Sequence, residues 1–123
     1  MSTLKADTIQ STSGGAATLT KQTAAKHFCV IDGVGTVAVY ESFNNASLTD
    51  NGTGHYTVAV TNAFSNLHFV FTGATVGNGN AFNFLTTDAT AKTSTTADFK
   101  LFQYDAAVVD TDPVDVLSHG DLA

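Results

Sequence analysis

The chain has 123 residues, of which 43% are hydrophobic and 13% charged, and its net formal charge is −6 with no arginine. This length predicts one domain with a substantial core. Binding to nucleic acid or to anionic membranes is not expected, because it needs clustered cations. No run approaches the roughly 20 apolar residues of a membrane span, and residues 1–10 lack the apolar stretch of a secretion signal.

The first fifth of the chain is polar and contains few large apolar side chains. Thr3 to Gln10 alternates in the rhythm of a short strand, Gly14-Gly15 interrupts it, and Ala17 to Lys21 resumes an extended pattern. We interpret residues 1–25 as an extended N-terminal arm and residues 26–123 as the folded domain. The arm side chains expected to contact a partner are Leu4, Ala6, Thr8, Ile9 and Leu19.

From His27 onward, short segments with a period of two residues alternate with turn signals. The predicted strands cover 28–31, 36–43, 47–50, 55–61, 66–72, 81–86, 98–104 and 114–118. Strands separated by turns every 8–12 residues are typical of an all-β sandwich or barrel. The prediction is an all-β fold: a single β-sandwich, jelly-roll-like, of about eight strands with the extended arm. Pro113 stands just before the last strand, where its missing N–H costs least.

The segment Asp50-Asn51-Gly52-Thr53-Gly54 is a strong turn signal. It could present a binding loop, hold a metal through Asp50 and Asn51, or reverse the chain. One carboxylate beside one amide is too few ligands for calcium. We therefore interpret it as a hairpin tip, with Asn and Gly at positive φ and with Tyr56, Val58 and Val60 facing inward.

Two further segments have residue types found in ligand sites. Gly33-Val34-Gly35 resembles part of a nucleotide-binding loop but lacks the third glycine and the helix, so a β-turn is favoured. Asp110, Asp112 and Asp115 could offer carboxylates to calcium, but the rest of an EF-hand loop is missing, so a solvated acidic turn is favoured. We predict no metal and no cofactor.

No catalytic constellation is recognisable. The histidines stand at 27, 55, 68 and 119, without the spacing of a metal-binding pair. His68 is placed within a strand, opposite Leu67 and Phe69. Cys29 cannot form an internal disulfide, since it is the only cysteine, and it is expected in the core. A glycosidase needs two opposed carboxylates, whereas Glu41 lies alone in a strand and the aspartates lie mostly at turns. The protein is not expected to be an enzyme.

The aromatic residues are spread over nearly every predicted strand. We assign them mainly to the core, because Phe pairs two residues apart suit the facing layers of a sandwich. A sugar-stacking platform is the alternative, although the chain has no Trp and three Tyr. The residues are Phe28, Tyr40, Phe43, Tyr56, Phe64, Phe69, Phe71, Phe82, Phe84, Phe99, Phe102 and Tyr104.

Two stretches carry a resemblance to a known group of proteins. MSTLKADTIQ, with the following TLTKQTAAK, resembles the amino-terminal segment of small virion structural proteins of marine tailed bacteriophages. DGVGTVAVYESFNNASLTDNGTGHYTVAVTNAF is similar to a tail-fibre-like module of the same group. The resemblance covers residues 1 to about 64 and, more loosely, continues to Leu117. The chain departs from that module at His27-Phe28-Cys29 and lacks the shaft of a typical fibre.

The resemblance implies a non-enzymatic virion component, assembled in the host bacterial cytoplasm and oligomeric, with a homotrimer expected by analogy. The leading expectation is a capsid decoration (cement) protein whose arm binds the major capsid protein. The first alternative is a tail-fibre-like or receptor-binding component that contacts a tail protein. The second is a carbohydrate-binding module.

Overall fold

The computed structural model describes residues 25–76, 84–87, 92–103 and 105–121. Eight strands and no helix lie within these residues, so the predicted all-β class is confirmed for this part of the chain. The strands are β1 (Ala25–Asp32), β2 (Ala38–Phe43), β3 (Asn45–Gly52), β4 (His55–Val60), β5 (Val70–Thr75), β6 (Phe84–Thr87), β7 (Thr96–Phe102) and β8 (Val114–His119).

The strands form two antiparallel sheets. Sheet I has the order β2-β1-β8-β5 and sheet II the order β3-β4-β7-β6. Consecutive strands pair as hairpins in β1–β2, β3–β4 and β6–β7, whereas β8 returns to lie between β1 and β5. Inward side chains from both sheets enter one hydrophobic cluster. This arrangement is consistent with a β-sandwich.

The core follows from strict alternation along four strands. In β1, β4, β7 and β8 every second residue is buried, and the intervening residues are partly or fully exposed. Period-two alternation places all residues of one parity on the same face of a strand. The buried apolar residues are Cys29, Ile31, Tyr56, Val58, Val60, Phe64, Phe69, Ala97, Phe99, Leu101, Val114 and Val116. The predicted inward positions of Tyr56, Val58, Val60 and Cys29 are confirmed.

One predicted strand was misplaced. Residues 66–69 are not a strand, and β5 begins at Val70. The Asn66 side chain accepts a hydrogen bond from the His68 N–H (2.8 Å), which is the local turn that Asn favours. His68 and Leu67 are exposed, while Phe69 is buried and stacks on Phe64 with ring centroids 4.1 Å apart. The alternation in this segment was therefore misleading.

The assignment of aromatic residues to the core was wrong for part of the set. Tyr56, Phe64, Phe69 and Phe99 are buried, as expected. By contrast, Tyr40 and Phe43 on β2 are exposed and Phe28 is only partly buried. β2 is an edge strand, and each of its six residues is exposed. Its aromatic side chains therefore lie outside the core.

Candidate functional site

The outer surface of sheet I carries a continuous row of apolar side chains. Residues paired across antiparallel strands project to the same side. Phe28 on β1 pairs with Phe43 on β2 and with Leu117 on β8, and Leu117 pairs with Thr72 on β5. These residues have the opposite parity to the buried set on β1 and β8. We define the apolar face as Phe28, Val30, Phe43, Val70, Thr72, Ala74 and Leu117, together with Glu41 and Asp115.

The exposure of this face is unusual for large apolar side chains. Phe43 is 55% exposed and Val70 is 60% exposed, while Phe28, Val30 and Leu117 are partly exposed. The Phe28 and Phe43 rings stack with centroids 6.4 Å apart. Large contiguous apolar patches on a protein surface often mark sites of interaction with a partner.

A shallow groove lies at the centre of the face, above β8. Its volume is about 420 Å³, and its walls come from β1, β8 and β5. The groove exists because β5 offers only small side chains there, Thr72, Gly73 and Ala74, beside the larger Phe28 and Leu117. Because the depression is open and lined mainly by apolar groups, it can accept apolar side chains of a partner.

Two carboxylates give the face a negative sign. Val30 pairs with Glu41 on one side and with Asp115 on the other, so both acids project on the same surface as the apolar row. Glu41 on β2 and Asp115 on β8 lie on either side of β1, so their backbones are about 10 Å apart. Lys26 on β1 has the strand parity of Phe28, and His119 on β8 has that of Leu117, so one lysine and one histidine lie on the same side of the sheet as the two acids. A partner with apolar groups is the chemical complement of this surface.

The outer surface of sheet II differs, because its polar groups bind one another. Asp98 on β7 contacts His55 Nε2 (2.8 Å) through Oδ1. Through Oδ2 it accepts hydrogen bonds from the Thr57 hydroxyl (2.8 Å) and the Asn51 amide (3.4 Å). Both carboxylate oxygens are therefore occupied. This network ties β3, β4 and β7 together and resembles a cross-strand polar ladder rather than a ligand site.

A second polar network lies between the sheets, with His27 and Ser118 buried and Asn45 partly buried. His27 on β1 contacts Ser118 Oγ through Nδ1 (3.1 Å) and Asn45 Oδ1 through Nε2 (3.3 Å). Because an amide oxygen only accepts, Nε2 carries the proton and the Ser118 hydroxyl donates to Nδ1. Burial lowers the pKa of His27, partly opposed by the Asn45 hydrogen bond. His27 is 0% and Ser118 is 1% exposed, so a substrate has no access to this Ser–His pair.

Cys29 has the properties of a core residue. It is completely buried and unpaired with another cysteine, and burial raises the pKa of its thiol to about 11. A thiol that stays protonated is a poor nucleophile.

The predicted acidic turn has a structural role through Asp110. One oxygen of Asp110 accepts hydrogen bonds from the Gly54 N–H (2.6 Å) and the Tyr56 hydroxyl (2.9 Å). The Tyr56 hydroxyl is also close to the Gly33 carbonyl (3.0 Å). Burial is the larger cause and the interaction with Asp110 the next, and both raise the pKa of Tyr56. The carboxylate thus fixes the β3–β4 hairpin and the β1–β2 connection to the segment before β8.

The other two aspartates of the predicted calcium set point elsewhere. Asp112 accepts a hydrogen bond from the exposed Tyr40 hydroxyl (3.2 Å), and Asp115 belongs to the apolar face. Within the described residues, no group of three acidic, histidine or cysteine side chains is arranged to hold a metal ion.

The hairpin predicted at residues 50–54 is confirmed, with one correction. Asn45 to Gly52 pairs antiparallel with His55 to Val60. The positive φ angles belong to Gly52 (125°) and Gly54 (56°) and not to Asn51. Gly33-Val34-Gly35 joins β1 to β2, in agreement with the predicted turn.

The predicted arm and its contact residues, Leu4, Ala6, Thr8, Ile9 and Leu19, lie outside the described residues.

Comparisons with known proteins found no relative. No protein-family model, curated protein or solved structure matches this chain. In the described part of the chain, no helix is long and apolar enough to cross a membrane.

Sequence reasoning missed the apolar face, although a signal for it was present. Phe28-Cys29-Val30-Ile31 is continuously apolar, so both parities of β1 carry apolar side chains. A strand of this kind has an apolar side chain on each face of its sheet. The sequence prediction places Cys29 of this run in the core and assigns no role to the other side of the strand.

Proposed function

We propose that this protein is a structural protein of a phage virion, specifically a capsid decoration protein that binds the shell through its N-terminal arm and stabilises it. The observation that carries the proposal is the apolar face. It is an exposed surface suited to protein contact, while the polar networks at Asp98, Asp110 and His27 are occupied by groups of the protein itself. Residues 1–64 resemble phage virion proteins, and this resemblance is the reason for proposing that the protein belongs to a phage particle.

The finer architecture belongs to the same proposal. In a jelly-roll-like sandwich the chain returns to its starting strand, and the pairing of β1 with β8 supports this. The homotrimer would use contacts between copies to cover exposed apolar surface, which closed oligomers do. The partner on the shell is the major capsid protein, and the location is the virion.

Quantitative mass spectrometry of purified particles tests the decoration role. A decoration protein follows the capsid lattice, so we expect hundreds of copies per particle. A handful of copies would contradict this role and would point to the tail-fibre-like alternative.

A binding assay with undecorated capsids tests the attachment mode. We expect Leu4→Asn/Ile9→Asn in the arm to weaken co-sedimentation with capsids. Leu67→Asn, an exposed position outside both arm and apolar face, is the matched control and should bind as the wild type does. Equal binding by the arm variant would exclude attachment through these residues.

The carbohydrate-binding alternative has one feature in its favour. The Tyr40 and Phe43 rings are exposed on edge strand β2, and exposed aromatic rings can stack on sugars. A glycan array probed with the wild type and with Tyr40→Ala tests this alternative. Glycan signals that are lost in the variant would support a lectin. An array without signals would exclude the carbohydrate-binding alternative.

A further inference from the structure

We propose that the apolar face is a contact between two copies of this chain, which pack face to face about a two-fold axis that crosses the strands of sheet I. The proposal concerns the isolated protein and does not depend on the virion role. Three observations carry it: where the charges lie on the face, how the face is shaped, and how large it is.

The outward side chains of sheet I form three rows across the strands. The middle row consists of the paired residues Phe43, Phe28, Leu117 and Thr72. Two residues along each strand, the acidic row consists of Glu41, Val30, Asp115 and Ala74. On the other side of the middle row, the basic row consists of Lys26, His119 and Val70. The acids and the lysine therefore lie at opposite ends of the face.

The charges of one copy are too far apart to form pairs within that copy. Lys26 and Val30 are four residues apart on β1, so the backbones of the basic and acidic rows are separated by about 13 Å. An ion pair needs its charged atoms within about 4 Å of each other. In the part of the chain that the structure describes, the ion pairs do not include Lys26, Glu41 or Asp115. The charges of the face are therefore available to a partner.

A two-fold axis along the middle row brings the basic row of each copy over the acidic row of the other. Lys26 of one copy is then set over Val30 of the second copy, whose neighbours across the sheet are Glu41 and Asp115. The lysine thus lies between two carboxylates, and the symmetry repeats the contact. On β8 the same rotation sets the His119 ring over Asp115, to which a ring N–H can donate a hydrogen bond.

The charges also exclude the other aligned arrangement of the two faces. Aligned packing keeps the strands of two facing sheets within about 30° of each other, which allows the axis to run across or along the strands. An axis along the strands would keep each row opposite itself, so Glu41 and Asp115 would meet the same carboxylates of the second copy. Like charges brought together in an interface weaken it. The axis across the strands is therefore favoured.

The shape of β5 fits the same axis. Val70 in the basic row protrudes, with 60% of its surface exposed. In the acidic row the same strand has only the small residues Gly73 and Ala74, which form one wall of the groove of about 420 Å³. Val70 and Ala74 are equally far from Thr72 in the middle row. The rotation therefore sets Val70 of each copy over the groove of the other.

The size of the face predicts a weak dimer. Four strands at a spacing of about 4.8 Å and a length of about 20–26 Å give a footprint of roughly 400–500 Å² on each copy. The two copies together then bury roughly 1,000 Å², which is less than the roughly 1,600 Å² of a standard interface. Since interfaces of this size hold transient complexes, we expect a dissociation constant of roughly 10–100 μM.

Sedimentation equilibrium of the full-length protein tests the proposal. The chain has a mass of 12.7 kDa. We expect the average mass to rise toward twice this value as the protein concentration increases from about 1 μM to about 1 mM, a range that brackets the expected dissociation constant.

A substitution in the groove contact assigns the association to the apolar face. Val70→Asn replaces the protruding apolar group with an amide. Because the dimer contains this contact twice, the dissociation constant should rise at least about tenfold. Val34→Asn makes the same change at a position that is 52% exposed in the β1–β2 turn, outside the face, and should leave the dissociation constant unchanged.

An exchange of charges between copies tests the axis. Lys26→Glu should weaken association, and so should Glu41→Lys/Asp115→Lys, because each of these variants opposes like charges in its own dimer. An equimolar mixture of the two variants should associate about as tightly as the wild type, since every contact then joins opposite charges. Such a recovery requires contact between copies. Circular dichroism confirms that each variant is folded.

Four outcomes would overturn the proposal. The first is the mass of one chain over the whole concentration range. The second is a larger species whose dissociation constant is unchanged by Val70→Asn, which would place the contact on other surface. The third is a mixture of the charge variants that does not associate, which would exclude this axis. The fourth is the mass of three chains reduced by Val70→Asn, which would assign the face to the proposed trimer. None of these outcomes bears on how many copies a particle carries, so the virion role is judged separately.

Discussion

At the scale of single residues, His27 is a buried group whose ionisation affects stability near neutral pH. It lies between the sheets and hydrogen-bonds to β8 through Ser118 and to β3 through Asn45. These contacts suit the neutral ring, and burial disfavours the charged ring. The folded state therefore holds His27 with a pKa below the ordinary value of 6.5.

Acid should weaken the fold through this residue. As the pH falls below 6.5, the unfolded chain takes up a proton on His27 before the folded chain does. The free energy of unfolding then decreases, by at most about 1.4 kcal/mol per pH unit, until the lowered pKa is reached. Above pH 6.5 both states are neutral and His27 adds no pH dependence. Urea unfolding at about pH 7.5 and about pH 5.5 measures the change.

His27→Gln separates this effect from the titration of other groups. All other ionisable groups are the same in the two proteins, so the difference between their free energies of unfolding isolates His27. We expect the wild type to lose its advantage as the pH falls. If the variant does not fold, NMR titration of the His27 ring in the wild type answers the question. A ring that titrates at or above pH 6.5 would contradict the prediction.

At the scale of elements, the β3–β4 hairpin is held by contacts distant in sequence. Gly54 donates its N–H to Asp110 and accepts a hydrogen bond from the Leu101 N–H (2.9 Å). A Cβ at Gly54 would lie 2.8 Å from the Val109 nitrogen and against the Val109 carbonyl oxygen. The turn is therefore packed against the chain before β8 and is not a free loop.

Gly54→Ala should be strongly destabilising. The positive φ of 56° costs a residue with a side chain roughly 1–2 kcal/mol. The collision with the backbone of Val109 adds to this, for a total of about 3 kcal/mol or more. Chemical denaturation gives the value.

Gly35→Ala is the matched control for the backbone conformation alone. Its φ is 74°, and a Cβ there meets nothing within 4 Å. It should cost only the roughly 1–2 kcal/mol of the left-handed conformation. Equal losses in the two variants would show that the contact with Val109 does not constrain the hairpin.

The hairpin also shows how far sequence reasoning reaches. Its position was predictable because turn chemistry at Asp50-Asn51-Gly52 is local. The Asp50 side chain accepts a hydrogen bond from the Gly52 N–H (2.9 Å), a contact within three residues. The role of Asp110 was not predictable, since 56 residues separate it from Gly54.

β1 shows the same limit for the candidate site. Its apolar run indicated burial, and alternation determines that Phe28 and Val30 lie on the face opposite Cys29 and Ile31. Which of the two sets faces the core depends on sheet II, whose position no local pattern encodes. The apolar face therefore emerges only once β2 and β8 are placed beside β1, and β5 beside β8.

At the scale of the whole molecule, the outer surfaces of the two sheets differ in whether their side chains have partners within the protein. Sheet II presents a polar network whose acceptors are occupied, whereas sheet I presents an apolar row with two carboxylates beside it. The residues of the hydrophobic cluster all lie between Cys29 and Val116. We therefore expect folding to depend on this described part of the chain, and we propose attachment through the N-terminal segment.

Deleting residues 1–22 tests this division. We expect the shortened protein to fold, because it retains every described residue of the core cluster, and to lose attachment to particles, because it lacks the arm. Thermal unfolding by circular dichroism measures folding, and co-sedimentation with capsids measures attachment.

The outcomes of the deletion are separable, since each reports on one claim. A shortened chain that fails to fold would show that residues 1–22 belong to the core and would refute the division into arm and domain. A folded chain that still binds capsids would place attachment on the domain instead.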